Sequence, residues 1–472
     1  MTLGTFVPDA KPDRAPAVAA VDVNALVADY KGDAAVAAGE SFDPTPATLE
    51  ARTERVKLGN GMTLALLPKK TRGEIVRFSL RLRFGDENSL KGTAPAGALA
   101  GSMLQLGTRE RSRQQFADAL DALRAKVAIG GGSTQASASG ETVRANLGGV
   151  LKLVAEAMKS PAFDAGEFDK LVRANLASIE KARTDPEAIA GREFNRHLKP
   201  WPAGDVRETP SFDESMARLR AAKLDDAKAF HARFYGASNA ELAIVGDFDP
   251  AEARALAEQL FGSWTSPSPY ARVADPFRAT QPVVRTIETP DKANAVLVGG
   301  MTLPMSDRAP DYPAMLVAER ILGGATESRM FTVVRGKLGL SYGVGTWLDE
   351  GRLDDNSTLG LYAIYAPENL EKVRAAVSAE IAQALEKGYT DEEVDNAKRA
   401  LLEERKSARA EDSTLAGSLV SQAFLGRTWA FSGDLDRAIA SVSVEQANAA
   451  LRKYLKPADL ATFLAGDFAK AR

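Results

Sequence analysis

The chain contains no cysteine and only two histidines among its 472 residues. Without cysteine it can form no disulfide, no thiolate metal site and no cysteine nucleophile. A histidine-based zinc site usually takes two or three imidazoles and a carboxylate. His197 and His231 have no other histidine three or four residues away, so we interpret both as structural residues.

Strong charge and long apolar runs are also absent. The 60 basic and 63 acidic residues leave a net charge of −3, which gives no indication of nucleic-acid binding. No apolar run approaches the ~20 residues needed to cross a bilayer. Residues 1–16 lack the order of charged and apolar segments found in a secretory signal. This favours a cytoplasmic location and leaves a periplasmic one open if a preceding segment was removed.

The chain is long enough for at least two domains, at roughly 100–200 residues per domain. Residues 1–52 are interpreted as an N-terminal arm or connector with a short helix at 21–30, and the proline-dense segment 265–284 as a linker. The linker separates predicted domains at 53–264 and 285–472. Both end alike, in NAELAIVGDF (239–248) and ADLATFLAGDF (458–468), which indicates a duplicated domain. We predict an α+β fold in which each domain is a mainly antiparallel sheet with helices packed on one face.

The segment LKGTAPAGALAGSMLQLGT (90–108) resembles the signature of the M16 metallopeptidase family (pitrilysin and mitochondrial processing peptidase). Catalytic members carry H-x-x-E-H followed by M-L-x-x-G-T, and only the second part is present here. The first histidine falls on Ala98, the glutamate on Gly101 and the second histidine on Ser102. The third zinc ligand of the family, a glutamate about eighty residues further on, falls on Ser178.

The family motif uses helical spacing, because residues i and i+4 share one helix face and two imidazoles there can hold one zinc ion. The glutamate between them serves as the general base. Ala98 and Gly101 cannot ligate a metal, and Ser102 is a poor ligand. The resemblance therefore implies an M16 fold with no metal in this chain, and zinc is expected in a partner subunit.

A second segment, LGGATESRMFTVVRGKLGLSYGV (322–344), resembles the motif of the C-terminal half of M16 proteins. The matching residues are Leu322, Gly323, Gly324, Ser328, Arg329, Phe331, Arg335 and Tyr342. The resemblance implies that Arg335 and Tyr342 support the partner's zinc site by contacting the substrate carbonyl. A guanidinium and a phenol can both donate hydrogen bonds to a developing oxyanion. Taken without the motif, a local ion pair for Arg335 and a place on a strand face for Tyr342 remain open.

The segment TQASASG (134–140) resembles the edge strand that lies beside the active site in the family. An edge strand offers unpaired backbone groups to an extended peptide. Thr134, Gln135, Ala136 and Ser137 are therefore candidate substrate-binding residues, although a strand that only covers the cavity remains an alternative.

The resemblance implies a non-zinc-binding subunit of a heterodimeric M16 zinc metallopeptidase. The chain would supply half of a peptide chamber together with Arg335 and Tyr342, and it would be inactive alone. The expected partners are a zinc-bearing M16 subunit and peptide substrates, with no nucleic acid and no membrane. The alternative is a non-catalytic M16-like scaffold subunit of a larger assembly, such as the core proteins of a respiratory complex.

Overall fold

The computed structural model describes residues 38–470. The predicted helix at 21–30 and most of the predicted arm lie outside the described residues. No helix within residues 38–470 is long and apolar enough to cross a membrane. The α+β prediction is confirmed, because the described chain is built from two sheets, each covered by helices.

Six strands form the N-terminal sheet: β1 (Glu54–Lys57), β2 (Thr63–Pro68), β3 (Ile75–Arg83), β4 (Lys126–Gly131), β5 (Gln135–Val143) and β6 (Ala240–Gly246). Their order across the sheet is β1-β2-β6-β3-β5-β4. Strand β2 is parallel to β6, and the other neighbours are antiparallel. In β3 the alternate residues Val76, Phe78, Leu80 and Leu82 are buried, as the period of two in the sequence predicts.

The helices before the linker are α1 (Pro46–Arg52), α2 (Ala94–Met103), α3 (Arg113–Ala122), α4 (Leu147–Lys159), α5 (Ala165–Ala182), α6 (Pro186–Leu198), α7 (Phe212–Ala221), α8 (Leu224–Phe234) and α9 (Pro250–Phe261). Residues 265–282, within the predicted linker, contain no helix or strand.

Five strands form the C-terminal sheet: β7 (Val283–Glu288), β8 (Ala295–Leu303), β9 (Gly343–Asp349), β10 (Ser357–Tyr365) and β11 (Ala461–Gly466). The helices of this part are α10 (Tyr312–Leu322), α11 (Leu370–Lys387), α12 (Asp391–Ala410), α13 (Asp412–Leu425), α14 (Trp429–Ala440) and α15 (Val444–Tyr454). A single π-helical turn spans Phe331–Lys337. The capping boxes predicted from Thr390 with Glu393 and from Ser443 with Gln446 are present.

The two sheets repeat one topology. The C-terminal sheet has the order β7-β11-β8-β10-β9, which matches β2-β6-β3-β5-β4 strand for strand. Strand β6 lies between β2 and β3, and β11 lies between β7 and β8; each is parallel to the first of its two neighbours and antiparallel to the second. The two similar sequence endings are therefore the same strand of a duplicated unit. The exact domain bounds of the sequence interpretation stay predictions.

One helix of each half packs on the sheet of the other half. Helix α6 lies on the C-terminal sheet, where the Phe194 and Phe463 ring centroids are 6.4 Å apart. Helix α13 lies on the N-terminal sheet, where Leu419 joins a buried cluster with Val245. We call α6 and α13 the crossing helices. Each sheet therefore has helices of its own half on one face, and its other face is partly covered by the crossing helix of the other half.

Candidate functional site

The positions that correspond to the M16 zinc ligands lie on exposed helix surfaces. Ala98 and Ser102 are both exposed on α2, one helical turn apart, and Ser178 is exposed on α5. The Ser102 hydroxyl donates to the carbonyl oxygen of Ala98 at 2.9 Å. Of these two residues only Ser102 has a polar side chain, and this bond pairs it with the backbone of its own helix.

Gly101, at the position of the general base, is buried against strand β4. A Cβ atom at this position would overlap the carbonyl carbon, carbonyl oxygen and Cα of Gly131. The residues present therefore do not fit a zinc site, either in ligand chemistry or in the space left for a base. Within residues 38–470 no three His, Cys, Asp or Glu side chains form a group that could hold a metal ion.

Both histidines contact backbone carbonyls. His197 Nε2 lies 2.6 Å from the carbonyl oxygen of Gln281, and His231 Nε2 lies 2.8 Å from that of Met158. A carbonyl oxygen only accepts, so Nε2 carries the proton in both rings. Burial lowers the pKa of His231, which keeps this imidazole neutral. These contacts fit the structural interpretation of the two residues.

Arg335 and Tyr342 are exposed at neighbouring points of the C-terminal half. Arg335 lies on the π-helical turn, with its guanidinium carbon 4.8 Å from the Phe331 ring centroid. Tyr342 immediately precedes β9, its side chain is 69% exposed, and its backbone nitrogen donates to Ile364 at 2.8 Å. Within the described residues, neither the guanidinium of Arg335 nor the hydroxyl of Tyr342 has a hydrogen-bond or ion-pair partner. π-Helical turns are rare and occur frequently at functional sites.

The glycines of the same motif have packing roles. A Cβ atom at Gly323 would lie 2.6 Å from the backbone nitrogen of Thr346, and one at Gly324 would overlap the carboxylate of Glu319. That buried carboxylate accepts a hydrogen bond of 2.6 Å from the Thr346 hydroxyl. Burial raises the pKa of Glu319. The two glycines therefore let the end of α10 approach strand β9 closely.

Arg329 and Ser328 are also held inside the protein. Arg329 Nε donates to Glu393 at 2.6 Å, and Arg329 Nη2 donates to the carbonyl oxygen of Gly388 at 2.9 Å. The buried Ser328 accepts a hydrogen bond from the backbone nitrogen of Phe331. These residues connect the motif to the beginning of α12 and fix the turn that carries Arg335.

The predicted edge strand at 134–140 is not an edge strand, and that prediction is wrong. Residues Gln135–Val143 form β5, which pairs with β3 on one side and with β4 on the other. The edge of the N-terminal sheet is β4. Ala136 is fully buried, while Thr134 is exposed and lines a cavity of about 470 Å³ with Arg83 and Phe84. The substrate-binding role of Thr134, Gln135, Ala136 and Ser137 stays a prediction.

A buried ion pair beside this cavity was not predicted from the sequence. Arg83 Nε lies 3.1 Å from Glu241 Oε2, and Glu241 is only 7% exposed. Burial raises the pKa of Glu241 to about 7, although the neighbouring guanidinium groups of Arg83 and Arg81 act in the opposite direction. The arginines at alternate positions of IVRFSLRLR were the only indication of this ion pair in the sequence, but the same pattern also fits a strand face exposed to solvent.

Comparison with known proteins finds similarity to M16 proteins. Residues 221–401 match the family model described as the peptidase M16 inactive domain. An uncharacterized zinc protease of Rickettsia bellii is 25% identical over 72% of this chain and 80% of its own length. The non-peptidase homolog YmxG of Helicobacter pylori is 20% identical over 81% of this chain and 86% of its own length.

Solved structures show the same fold. The peptidase M16 inactive domain from Pseudomonas fluorescens matches with a TM-score of 0.77 at 24% identity, covering 88% of this chain and 97% of that chain. A protease from Helicobacter pylori matches with a TM-score of 0.75 at 17% identity, covering 88% and 99%. The fold and the resemblance predicted from the two motifs are confirmed.

Proposed function

Since this chain resembles M16 peptidases of the inactive-domain type, we propose that it is the non-zinc-binding subunit of a heterodimeric zinc metallopeptidase. Its partner would be an M16 chain with the intact H-x-x-E-H motif, and its substrates would be peptides enclosed between the two chains. The zinc that activates a water molecule for attack on the peptide would be supplied by the partner.

The observation that carries the proposal is the contrast within one motif. Gly323, Gly324, Ser328 and Arg329 have packing or hydrogen-bonding roles inside the chain. The side chains of Arg335 and Tyr342 make no hydrogen bond or ion pair among residues 38–470, and both are exposed, on the π-helical turn and just before strand β9. An exposed arginine and tyrosine on such a support are what substrate contact requires.

The chemistry of the two groups suits amide hydrolysis. When a peptide carbonyl becomes tetrahedral, its oxygen gains negative charge, and donors aimed at that oxygen stabilise the transition state. The guanidinium of Arg335 offers several N–H donors, and the phenol of Tyr342 can donate its O–H in a hydrogen bond. In this proposal the two side chains act on a substrate that the partner's zinc site cleaves.

The experiment is purification of the chain with whatever M16 chain accompanies it in the native host. Zinc content and hydrolysis of a quenched fluorescent peptide library would be measured for each chain alone and for the pair. We expect zinc only in the partner, and turnover that requires both chains. A stable pair without peptidase activity would support a scaffold subunit and refute the proposal. Peptide hydrolysis by this chain alone would also refute it.

A further inference from the structure

Helix α2 and the end of strand β4 approach each other backbone to backbone. A Cβ atom at Gly97 would lie 2.8 Å from the Phe230 ring, 3.0 Å from the Cα of Ser133 and 3.1 Å from the Gly132 carbonyl oxygen. One turn later, a Cβ atom at Gly101 would overlap three backbone atoms of Gly131. Gly97 and Gly101 therefore both face the glycine-rich segment at the end of β4, and at Gly101 the nearest atoms are all backbone.

Tyr235 also lies close to this end of the strand. A Cβ atom at Gly131 would lie 2.9 Å from the hydroxyl oxygen of Tyr235. The Tyr235 ring is buried and its centroid lies 5.0 Å from that of Phe84. Gly131 is therefore close both to α2, at Gly101, and to Tyr235, so β4 cannot shift at this point without changing its contact with the aromatic cluster.

We propose that the backbone of β4 occupies the space that the side chain of a general base at position 101 would need. Restoring the motif's side chains therefore cannot restore a zinc peptidase site in this chain. The loss is steric as well as chemical. Instead of carrying a zinc site, helix α2 positions the end of the edge strand β4. The three lost ligand positions behave differently from Gly101, because Ala98, Ser102 and Ser178 are exposed.

Gly101 should respond to substitution in the opposite way to an unconstrained helical glycine. Alanine stabilises a helix interior relative to glycine, so an unconstrained Gly→Ala change in a helix raises stability. At Gly101 the added methyl group would meet backbone atoms that cannot rotate away. Overpacking of this kind destabilises the folded state, so Gly101→Ala should lower the Tm.

The first test compares Gly101→Ala with Gly191→Ala in the full chain. Gly191 lies in helix α6, and a Cβ atom there would meet no atom within 4 Å, so it is the matched control. We expect Gly101→Ala to lower the Tm by about 3 °C or more and Gly191→Ala to leave it unchanged or raise it. An unchanged or raised Tm for Gly101→Ala would overturn the proposal.

The second test restores the ligands with and without the base. The triple variant Ala98→His, Ser102→His, Ser178→Glu changes exposed positions only and should keep the wild-type Tm. Adding Gly101→Glu should lower the Tm further than Gly101→Ala does, or prevent soluble accumulation while the triple variant accumulates normally. Cobalt(II) absorption would report metal binding by each variant. A quadruple variant as stable as the triple variant, with a tetrahedral cobalt spectrum, would refute the proposal.

Discussion

The guanidinium carbon of Arg83, on β3, lies 3.4 Å from the ring centroid of Phe424, on crossing helix α13. The same guanidinium is bonded to Glu241 at 3.1 Å. Phe424 therefore lies over the charged end of Arg83, next to a carboxylate that is 7% exposed. A helix from the C-terminal half thus helps to bury an ion pair of the N-terminal sheet.

Glu241 should make the stability of the protein depend on pH. Its pKa is raised from 4.5 to about 7 by burial, so the folded protein retains a proton that the unfolded chain releases between these values. The stabilisation is complete below the unfolded pKa and is lost as pH rises through the folded pKa. Between about pH 5 and pH 7.5, wild type should lose about 2 kcal/mol of unfolding free energy relative to Glu241→Gln.

Urea unfolding of both proteins across this pH range measures the difference. Glu54→Gln, at an exposed position of β1, is the control and should run parallel to wild type. A pH-independent difference between wild type and Glu241→Gln would show that Arg83 keeps the carboxylate charged throughout.

Arg335→Ala and Tyr342→Phe should each lower kcat of the proposed two-chain enzyme by about 10²-fold, the effect of losing one oxyanion donor. KM should change little, because the bonds form mainly in the transition state. Steady-state kinetics with a fluorogenic peptide and saturating partner checks this. Both variants should fold and bind the partner as wild type does, since neither side chain is buried.

Two control variants test whether the loss of kcat is specific to Arg335 and Tyr342, or follows the removal of any nearby exposed cation or tyrosine hydroxyl. Lys337→Ala removes an exposed cation from the same π-helical turn as Arg335. Tyr362→Phe removes a hydroxyl from a tyrosine that is 37% exposed on strand β10. Both controls should retain kcat. Equal losses in Lys337→Ala and Arg335→Ala would point to general electrostatics and would contradict the assigned role.

Arg329→Ala should reduce stability although it lies only six residues before Arg335. The change removes the bonds of Arg329 to Glu393 and to the Gly388 carbonyl, which together should cost about 2 kcal/mol. Chemical denaturation is the measurement, with Arg335→Ala as a comparison that stays within about 0.5 kcal/mol of wild type. If the two substitutions destabilised equally, the division of the motif into structural and exposed residues would fail.

Phe194→Ala should destabilise the C-terminal sheet, although Phe194 itself lies in the N-terminal half of the chain. Phe194 is 2% exposed and packs against Phe463 and Trp347, so truncation should cost about 3–5 kcal/mol. Hydrogen exchange should accelerate in β8 and β11. Phe168→Ala, in the core beside the N-terminal sheet, is the control and should accelerate exchange there instead. Acceleration confined to residues before the linker in both variants would contradict the crossing arrangement.

Local patterns were sufficient for much of this fold. The alternation in β3, the two capping boxes and the paired endings NAELAIVGDF and ADLATFLAGDF all depend on neighbouring residues, and each appears as predicted. The crossing helices were not predicted. Helix α6 buries only Pro186, Ala190, Phe194 and Leu198, a narrow stripe whose partner strands lie about a hundred residues or more away. Local periodicity contains no information about such a partner.

The candidate site divides in the same way. Once the resemblance to the M16 motif assigns Ala98, Gly101, Ser102 and Ser178 to the zinc-site positions, their residue types alone predict that the zinc chemistry is absent. The misplaced edge strand could not be avoided, because β4 and β5 are consecutive and only long-range pairing with β3 decides which of them is outermost. Likewise, nothing in the residue letters indicates that Gly101 touches Gly131.

The crossing helices restrict how this chain can move. A hinge at residues 265–282 would have to pull Phe194 from the C-terminal sheet and Leu419 from the N-terminal sheet at once, exposing two buried clusters. In the proposed two-chain peptidase, a peptide would therefore enter when the two chains separate, and this chain would move as one rigid body.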